Sequence, residues 1–321
     1  MVNQVKRQEI IMLSIPTPFP VGDVNVFLLK GKSLTLIDVG PKTKEAWESL
    51  CHQLQTYGYT IQDIDQVILT HHHPDHVGLV EWLPENIPIY GSYALEKWLL
   101  KDERFFEKQQ EFYLSLFPLF GVDPSFISSL KKFEKTYELG CNRPLSGYLK
   151  DGDVIEWEED WVVMETPGHA QSHIVLHNRK SYELIGGDML LNHISSNPLL
   201  EPSISGEERP KPQLQYNNSL KKLLHVPISV VYPGHGDSFE GAHSLIQVRL
   251  KEQHHRAMDV YNLLKDGPMT AFEICKRLFP TVYKRQLLLT MSETIGQLDY
   301  LEQLDYIAVE HEKGAIVYRR K

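Results

Sequence analysis

The sequence predicts an α+β chain in two parts: a large body of short strands interleaved with helices, and a small C-terminal helical domain closed by a β-hairpin. Three observations predict it. Short apolar runs recur and end in Gly, Pro, His or Asp, the mark of strands that deliver loops to a sheet edge. From about Leu95 to Tyr137 the text turns helical and strongly aromatic. From about Ser244 onward, three helical segments and a hairpin pattern follow one another.

Taken in order, "VNVFLLKGKSLTLIDVG" (Val24 to Gly40) reads as two apolar strands around a Gly-Lys turn, ending at Asp38. "TKEAWESLCHQLQTYGY" has helical spacing and stops near Gly58. "DQVILT" is a buried-type strand and "IPIYGS" another. The aromatic stretch carries Trp98, Phe105, Phe106, Phe112, Tyr113, Phe117, Phe120, Phe126 and Phe133. Aromatics at helical spacing read as core, so we expect a helical insertion at about 95–137 packed on the main body. A lid, an apolar substrate wall and a dimer surface are the alternatives. Strands resume in "DVIEWEEDWVVMETPGH", "HIVLHN" and "YELIGGDML". The Ser-, Pro- and Asn-rich "LNHISSNPLLEPSISGEERPKPQLQ" reads as a long loop, and "ISVVYPGHG" as a further strand. The tail gives "LIQVRLKEQHHRAMDVYNLLK", "TAFEICKRLF" and "SETIGQLDYLEQL" as helices and "YIAVEHEKGAIVYRR" as a hairpin, an order that suggests a small winged-helix domain over 244–321 after a body of 1–243.

Bulk properties narrow the function classes. With 321 residues, 42% hydrophobic and 23% charged, the chain can bury a sizeable core. A net charge of −9 disfavours non-specific attraction to polyphosphates or anionic membrane. Cys51, Cys141 and Cys275 are scattered without CxxC spacing, which suits reduced thiols. The start is polar, and no run approaches the length of a membrane span. The expectation is a soluble cytoplasmic protein that does not act on membranes.

"ILTHHHPDHVG" gathers four imidazoles and a carboxylate within six positions just after a strand. A two-metal site needs about seven such groups around ions roughly 3.5–4 Å apart. His71 and His73 share a face, His72 points elsewhere, and Asp75 and His76 follow the turn at Pro74 where they can address a second ion. Three further strand ends supply partners: His169 in "TPGHAQSH", Asp188 in "LIGGDML" and His235 in "VYPGHG". A lone Gly-His or Gly-Gly-Asp means little. All three together with the first cluster are specific.

These motifs, "THHHPDHVG", "TPGH", "GGD" and "PGHG" in that order, resemble the metallo-β-lactamase superfamily from about Pro16 to about Phe239. The resemblance implies a four-layer αββα sandwich. It also implies two divalent ions, zinc in first place with iron and manganese fitting the same donors. By that resemblance His71, His73 and His169 hold one ion, Asp75, His76 and His235 the other, and Asp188 bridges them. Asp38 would lie behind the ligands and orient a histidine or a loop. The set is similar to that of two-metal hydrolases such as glyoxalase II. The cysteine that true β-lactamases carry near the Asp188 position is missing, which argues against antibiotic hydrolysis. "AQSH" after His169 departs from the Thr-x-Gly common in glyoxalase II, and no glutathione-binding type of C-terminal region is recognisable. The tail resembles the winged-helix region of the β-lactamase-like protein 2 group, a subgroup that includes some endoribonucleases.

The reaction this implies is hydrolysis by a hydroxide shared between two cations, with Asp75 as the catalytic carboxylate that takes its proton. His193, in "LLNHISSNP", is a candidate for binding substrate, against the alternative of a loop histidine without function. His173 reads as structural, and His254 and His255 as a solvated face. A small-molecule ester, thioester or lactone is the first substrate class, since the net charge is acidic and the aromatic insertion could cover an acyl group. A metal-dependent endoribonuclease or phosphodiesterase is the alternative, and a nucleic-acid-binding regulator with a structural metal ranks third. Residues 241–321 carry 12 Lys and Arg against 10 Asp and Glu. The segment placed as a recognition helix holds Glu293, Asp299, Glu302 and Asp305 with no cation. That disfavours a nucleic-acid partner. The tail is expected to serve packing or a homodimer.

Overall fold

Alternation along Val24–Lys30 (β2) shows how the layers form. Val24, Val26 and Leu28 enter one apolar cluster while Phe27 and Leu29 enter another, so this strand is buried on both faces. In the computed structural model, which describes residues 9–100, 103–129, 138–204, 208–312 and 314–321, β2 belongs to a six-stranded sheet. Its order is β1 (Glu9–Ile15), β2, β3 (Leu34–Ile37), β4 (Gln66–Ile68), β5 (Ile89–Gly91) and β6 (Gly147–Tyr148). A five-stranded sheet faces it: β11 (Val230–Pro233), β10 (Glu183–Gly187), β9 (Ile174–Asn178), β8 (Glu158–Glu165) and β7 (Val154–Ile155).

Phe27, Ile37, Ile68, Trp161, Ile174 and Ile185 fill the space between the sheets. The outer face of the first sheet packs on α1 (Lys44–Thr56) through Ala46, Leu50 and Leu54. Thr43 caps that helix by accepting from the Ala46 amide at 3.1 Å, and Gly58 ends it with φ +83°. The outer face of the second sheet packs on α5 (Pro212–Leu223) and α6 (Ala242–Leu263) through Tyr216, Leu220, Leu223 and Ile246. The result is helix, sheet, sheet, helix.

Two expectations are corrected here. The stretch read as a long loop from Leu191 to Gln215 ends inside α5, which begins at Pro212. Proline at the first helical turn is well placed, since its missing N–H has no partner to lose there. The aromatic stretch forms α3 (Tyr93–Leu99) and α4 (Glu103–Leu119), between the elements already named α1 and α5. Its core lies mainly against the C-terminal helices rather than the sandwich: Tyr113, Phe117 and Phe120 join Val260, Phe272 and Ile295. Phe133 lies outside the described residues.

The C-terminal part consists of α6, α7 (Ala271–Leu278) and α8 (Leu287–Gln303) with a three-stranded sheet of order β12 (Met269–Thr270), β14 (Ala315–Arg320), β13 (Ile307–Glu312). Helix α8 is largely buried, and its acidic residues are spoken for. Asp299 forms a two-pronged pair with Arg209 at 2.8 and 2.5 Å, Glu293 meets Arg256 and Glu302 meets Lys211. Asp305, just beyond the helix, pairs with Lys321. His255 is exposed as expected, while His254 is half-buried, its Nδ1 3.2 Å from the Tyr300 hydroxyl.

Candidate metal centre

The chain reaches this site from the ends of β4, β8, β10 and β11. After β4, Leu69 and Thr70 lead into the histidine run, and Pro74 opens α2 (Pro74–Val77), which carries Asp75 and His76. The turn after β8 brings His169, Gly187 at the end of β10 leads into Asp188, and Pro233 at the end of β11 leads through Gly234 into His235. Gly187 adopts φ +45°, and a side chain there would press on His173 and Thr70.

The seven residues read from the sequence come together. His73 Nδ1 lies 3.0 Å from both His71 Nε2 and His169 Nε2. His235 Nε2 stands 3.3 Å from Asp75 Oδ2, and His76 Nε2 is 4.0 Å from that same oxygen. Asp188 sits between the groups: Oδ2 is 3.5 Å from both His169 Nε2 and His235 Nε2, and Oδ1 is 3.4 Å from His76 Nε2. Donors about 2.1 Å from a tetrahedral ion stand roughly 3.4 Å apart. Within each group the spacing is that of a coordination shell. His76 Nε2, His235 Nε2 and Asp188 Oδ1 are buried without a hydrogen-bond partner, a state that bound cations would relieve. These residues fit two divalent ions.

The far side of each ring fixes its tautomer. Thr70 Oγ1 donates to Asp38 Oδ2, which leaves it to accept from His71 Nδ1–H at 3.0 Å. His76 Nδ1–H donates to Asp38 Oδ2 at 2.8 Å. His169 Nδ1 faces the Asn197 carbonyl at 3.1 Å and Ser196 Oγ at 2.8 Å, and His235 Nδ1 donates to the Asp23 carbonyl at 2.7 Å. In all four rings Nδ1 is engaged from behind, which aims Nε2 inward as the nitrogen that an ion would take. His73 is reversed, with Nδ1 inward and a buried, unpartnered Nε2.

Asp38 is fully buried at φ +59° and also accepts from the Thr70 amide at 2.8 Å, so one carboxylate serves a ligand and the loop before it. Asp38→Asn keeps the shape but turns an acceptor into a donor. It is expected to weaken binding of the ion at His76 by about 10–100-fold, read by competition with a chromophoric chelator.

The site's charges couple proton and metal. Burial works against charge on His235, but Asp188 and Asp75 outweigh it and raise the imidazole to about 10. His76 is raised well above its usual value against the same burial, by Asp188, Asp38 and Asp75. Burial drives His71 and His73 well down, helped by neighbouring imidazoles. Near neutral pH the metal-free site therefore holds protons on His76 and His235 that an ion must displace. Apparent affinity is expected to rise as pH rises toward 10, by about tenfold per unit for each proton released. Titration calorimetry in buffers of different ionisation enthalpy counts those protons. The same sign makes the His235 contribution to metal-free stability complete below its unfolded value of 6.5 and lost as pH passes about 10.

His193 is not among the clustered side chains. It is exposed, with its ring over Gly236, in a groove that Met12, Asp23, Asn25 and Asp237 also line. His173 touches the site from behind: its Nε2 accepts from the Asp188 amide at 3.1 Å and its Nδ1 donates to Thr166 at 2.9 Å. His72 turns away, stacked on Trp98 at 3.9 Å. Thr70, Ser196 and Glu201, the last with Oε1 3.3 Å from His72 Nε2, are not among the sequence candidates. Thr70 adjoins His71 and could have been flagged, whereas the other two lie in a loop whose composition gives no signal.

Comparison with known proteins gives the family and agrees with the fold. The family model of the metallo-beta-lactamase superfamily matches residues 19–235. The chain is 41% identical over 312 residues to the probable metallo-hydrolase YqjP of Bacillus subtilis, covering 97% of this chain and 98% of that one. It is 23% identical to a beta-lactamase-like protein 2 homolog of Drosophila melanogaster, over 82% of this chain and 77% of that one. Among solved structures, a metallo-beta-lactamase family protein from Thermus thermophilus superposes with a TM-score of 0.80 at 27% identity, covering 97% and 98% of the two chains. A beta-lactamase domain protein from Burkholderia ambifaria shares the fold at a TM-score of 0.78 and 24% identity, covering 97% of this chain and 92% of that one. Coverage of this extent takes in the C-terminal helices, which lie beyond the residues that the family match reaches.

Proposed function

The chain belongs to the metallo-beta-lactamase superfamily, and on that premise we propose that it is a two-metal hydrolase of a small-molecule ester, thioester or lactone. One observation carries the reading: two groups of donors at coordination spacing share Asp188, with the far nitrogen of four histidines tied down. His71, His73 and His169 would hold one ion, Asp75, His76 and His235 the other, and Asp188 would bridge them. Imidazole and carboxylate donors suit zinc. Bound there, two cations supply Lewis acidity, making a water acidic near neutral pH and drawing charge from the oxygen of the scissile group.

The chain's own groups do the rest. Asp75, whose Oδ2 stands 3.3 Å from His235 Nε2 within the cluster, would accept the proton of the attacking water. Asp38 holds His76 in register and His173 holds the Asp188 amide. His193 stands over the loop that carries His235, where it would meet a substrate in the groove.

Charge supports this substrate class over a polyphosphate one. Among the described residues lining that groove there is no lysine or arginine, while Asp23 and Asp237 are present, a poor surface for a phosphate chain. In the C-terminal part, which we read as a winged-helix-like domain of 244–321 beside a catalytic body of 1–243, α8 is buried and its carboxylates are internally paired. It would serve packing rather than recognition of nucleic acid. The name of the Bacillus relative, a probable metallo-hydrolase, supports the hydrolase class. Metal-loaded protein is expected to turn over members of a thioester and lactone panel, and Asp75→Ala to abolish that turnover. Cleavage of RNA alone, lost in the same variant, would overturn the substrate assignment.

A further inference from the structure

Four of the five clustered histidines present Nε2 to the centre and anchor Nδ1 behind them. His73 does the opposite, and the consequence lies on its far side. If His73 Nδ1 binds an ion, the proton of the neutral ring must sit on Nε2. That nitrogen is buried with no partner, and a buried N–H without an acceptor is costly.

A buried carboxylate lies in the same group. His72, His73 and Glu201 bring donor atoms within 4.8 Å of one another, and Glu201, only 2% exposed, leaves Oε1 unpartnered. Its other oxygen accepts from the Gln171 amide at 2.9 Å. Oε1 also stands 3.3 Å from His72 Nε2, and His72 is fixed on its other side by Ser172 Oγ at 2.8 Å. The carboxylate is itself held in place. The neighbouring Leu200 is gripped at both ends, its amide by Ser292 Oγ of α8 at 3.0 Å and its carbonyl by the Tyr113 hydroxyl of α4 at 2.7 Å.

We propose that Glu201 is a positioning residue for the ion at His71, His73 and His169: its buried carboxylate, grouped with that ring but not hydrogen-bonded to it in the structure, would take the Nε2–H of His73 once Nδ1 holds the ion and so fix the ring that turns Nδ1 to the centre. This rests on the reading of His73 as a metal ligand. It also gives the C-terminal helices a task in the site, because α8 and α4 hold the backbone from which Glu201 reaches back.

Glu201→Gln keeps the shape and removes the charge. Zinc affinity and stoichiometry, measured by chelator competition, are read beside the ¹⁵N–¹H signal of His73 Nε2 in the zinc-loaded protein. The variant is expected to bind one of two ions about 10–100-fold more weakly, with the other unchanged and the His73 Nε2–H resonance moved upfield. Melting of the metal-free variant within a few degrees of the parent shows that it folds. Two ions held with parental affinity, or a melting shift without an affinity change, would overturn the proposal and leave the metal reading standing. A parent chain that takes up no zinc would overturn both. A third ion, lost alone in the variant, would make Glu201 a ligand and overturn the positioning role.

Discussion

Asp188→Ala is expected to lose both ions and all measurable hydrolysis, the largest effect of any single side chain in the protein. Among the described residues, Asp188 is the one whose two oxygens reach both groups, 3.5 Å from His169 and His235 and 3.4 Å from His76. Burial opposes its charge, but His235 and His76 hold the carboxyl well below its usual range, so it is anionic across the working pH. Without it the two imidazole groups face each other with no intervening negative charge. Affinity for both ions should fall by more than the roughly 100-fold that loss of a supporting residue costs. Elemental analysis after dialysis, with turnover on the same sample, measures both. An alanine variant that kept one ion at parental affinity would show that the carboxylate does not bridge.

Gly234→Ala is expected to have the next largest effect, although it removes no donor. A β-carbon at Gly234 would overlap Asp188 Oδ1 and come within 3.0 Å of His76 Cε1. The backbone cannot retreat, since Gly234 donates to the Gly187 carbonyl at 2.7 Å and accepts from the Asn25 amide at 2.7 Å. Overpacking of this kind costs about 1–3 kcal/mol, and here the strain falls on the Asp188 carboxylate. Loss of metal affinity at both sites should accompany a modest drop in melting temperature. Unchanged affinity would mean that the loop is softer than its hydrogen bonds imply.

The clustering of the candidate donors was more legible in the sequence than the helices packed around them. His71, His73, Asp75, His76, His169, Asp188 and His235 belong to the few residue types that bind cations, and each follows a strand punctuated by Gly or Pro. Chemistry and local geometry coincide there. Helix α5 was hidden because its buried face carries Gln213, Asn217 and Ser219 among the apolar residues. Gln213 Nε2 donates to Asn217 Oδ1 at 3.0 Å, a pairing that no hydrophobic period records. The partner of α4 was equally hidden: Phe117 and Phe120 announce burial, but only the fold brings α7 and α8 against them. Glu201 is the extreme case. Its loop composition is ordinary, and its importance comes from His73, more than a hundred positions upstream, being turned the other way from its neighbours.

Counting ions per chain tests the central claim most directly. Protein stripped with chelator, dialysed against zinc at neutral pH and analysed for metal should hold two ions per chain, and His71→Ala together with His235→Ala should hold none. A parent chain that binds one ion or none under those conditions would contradict it.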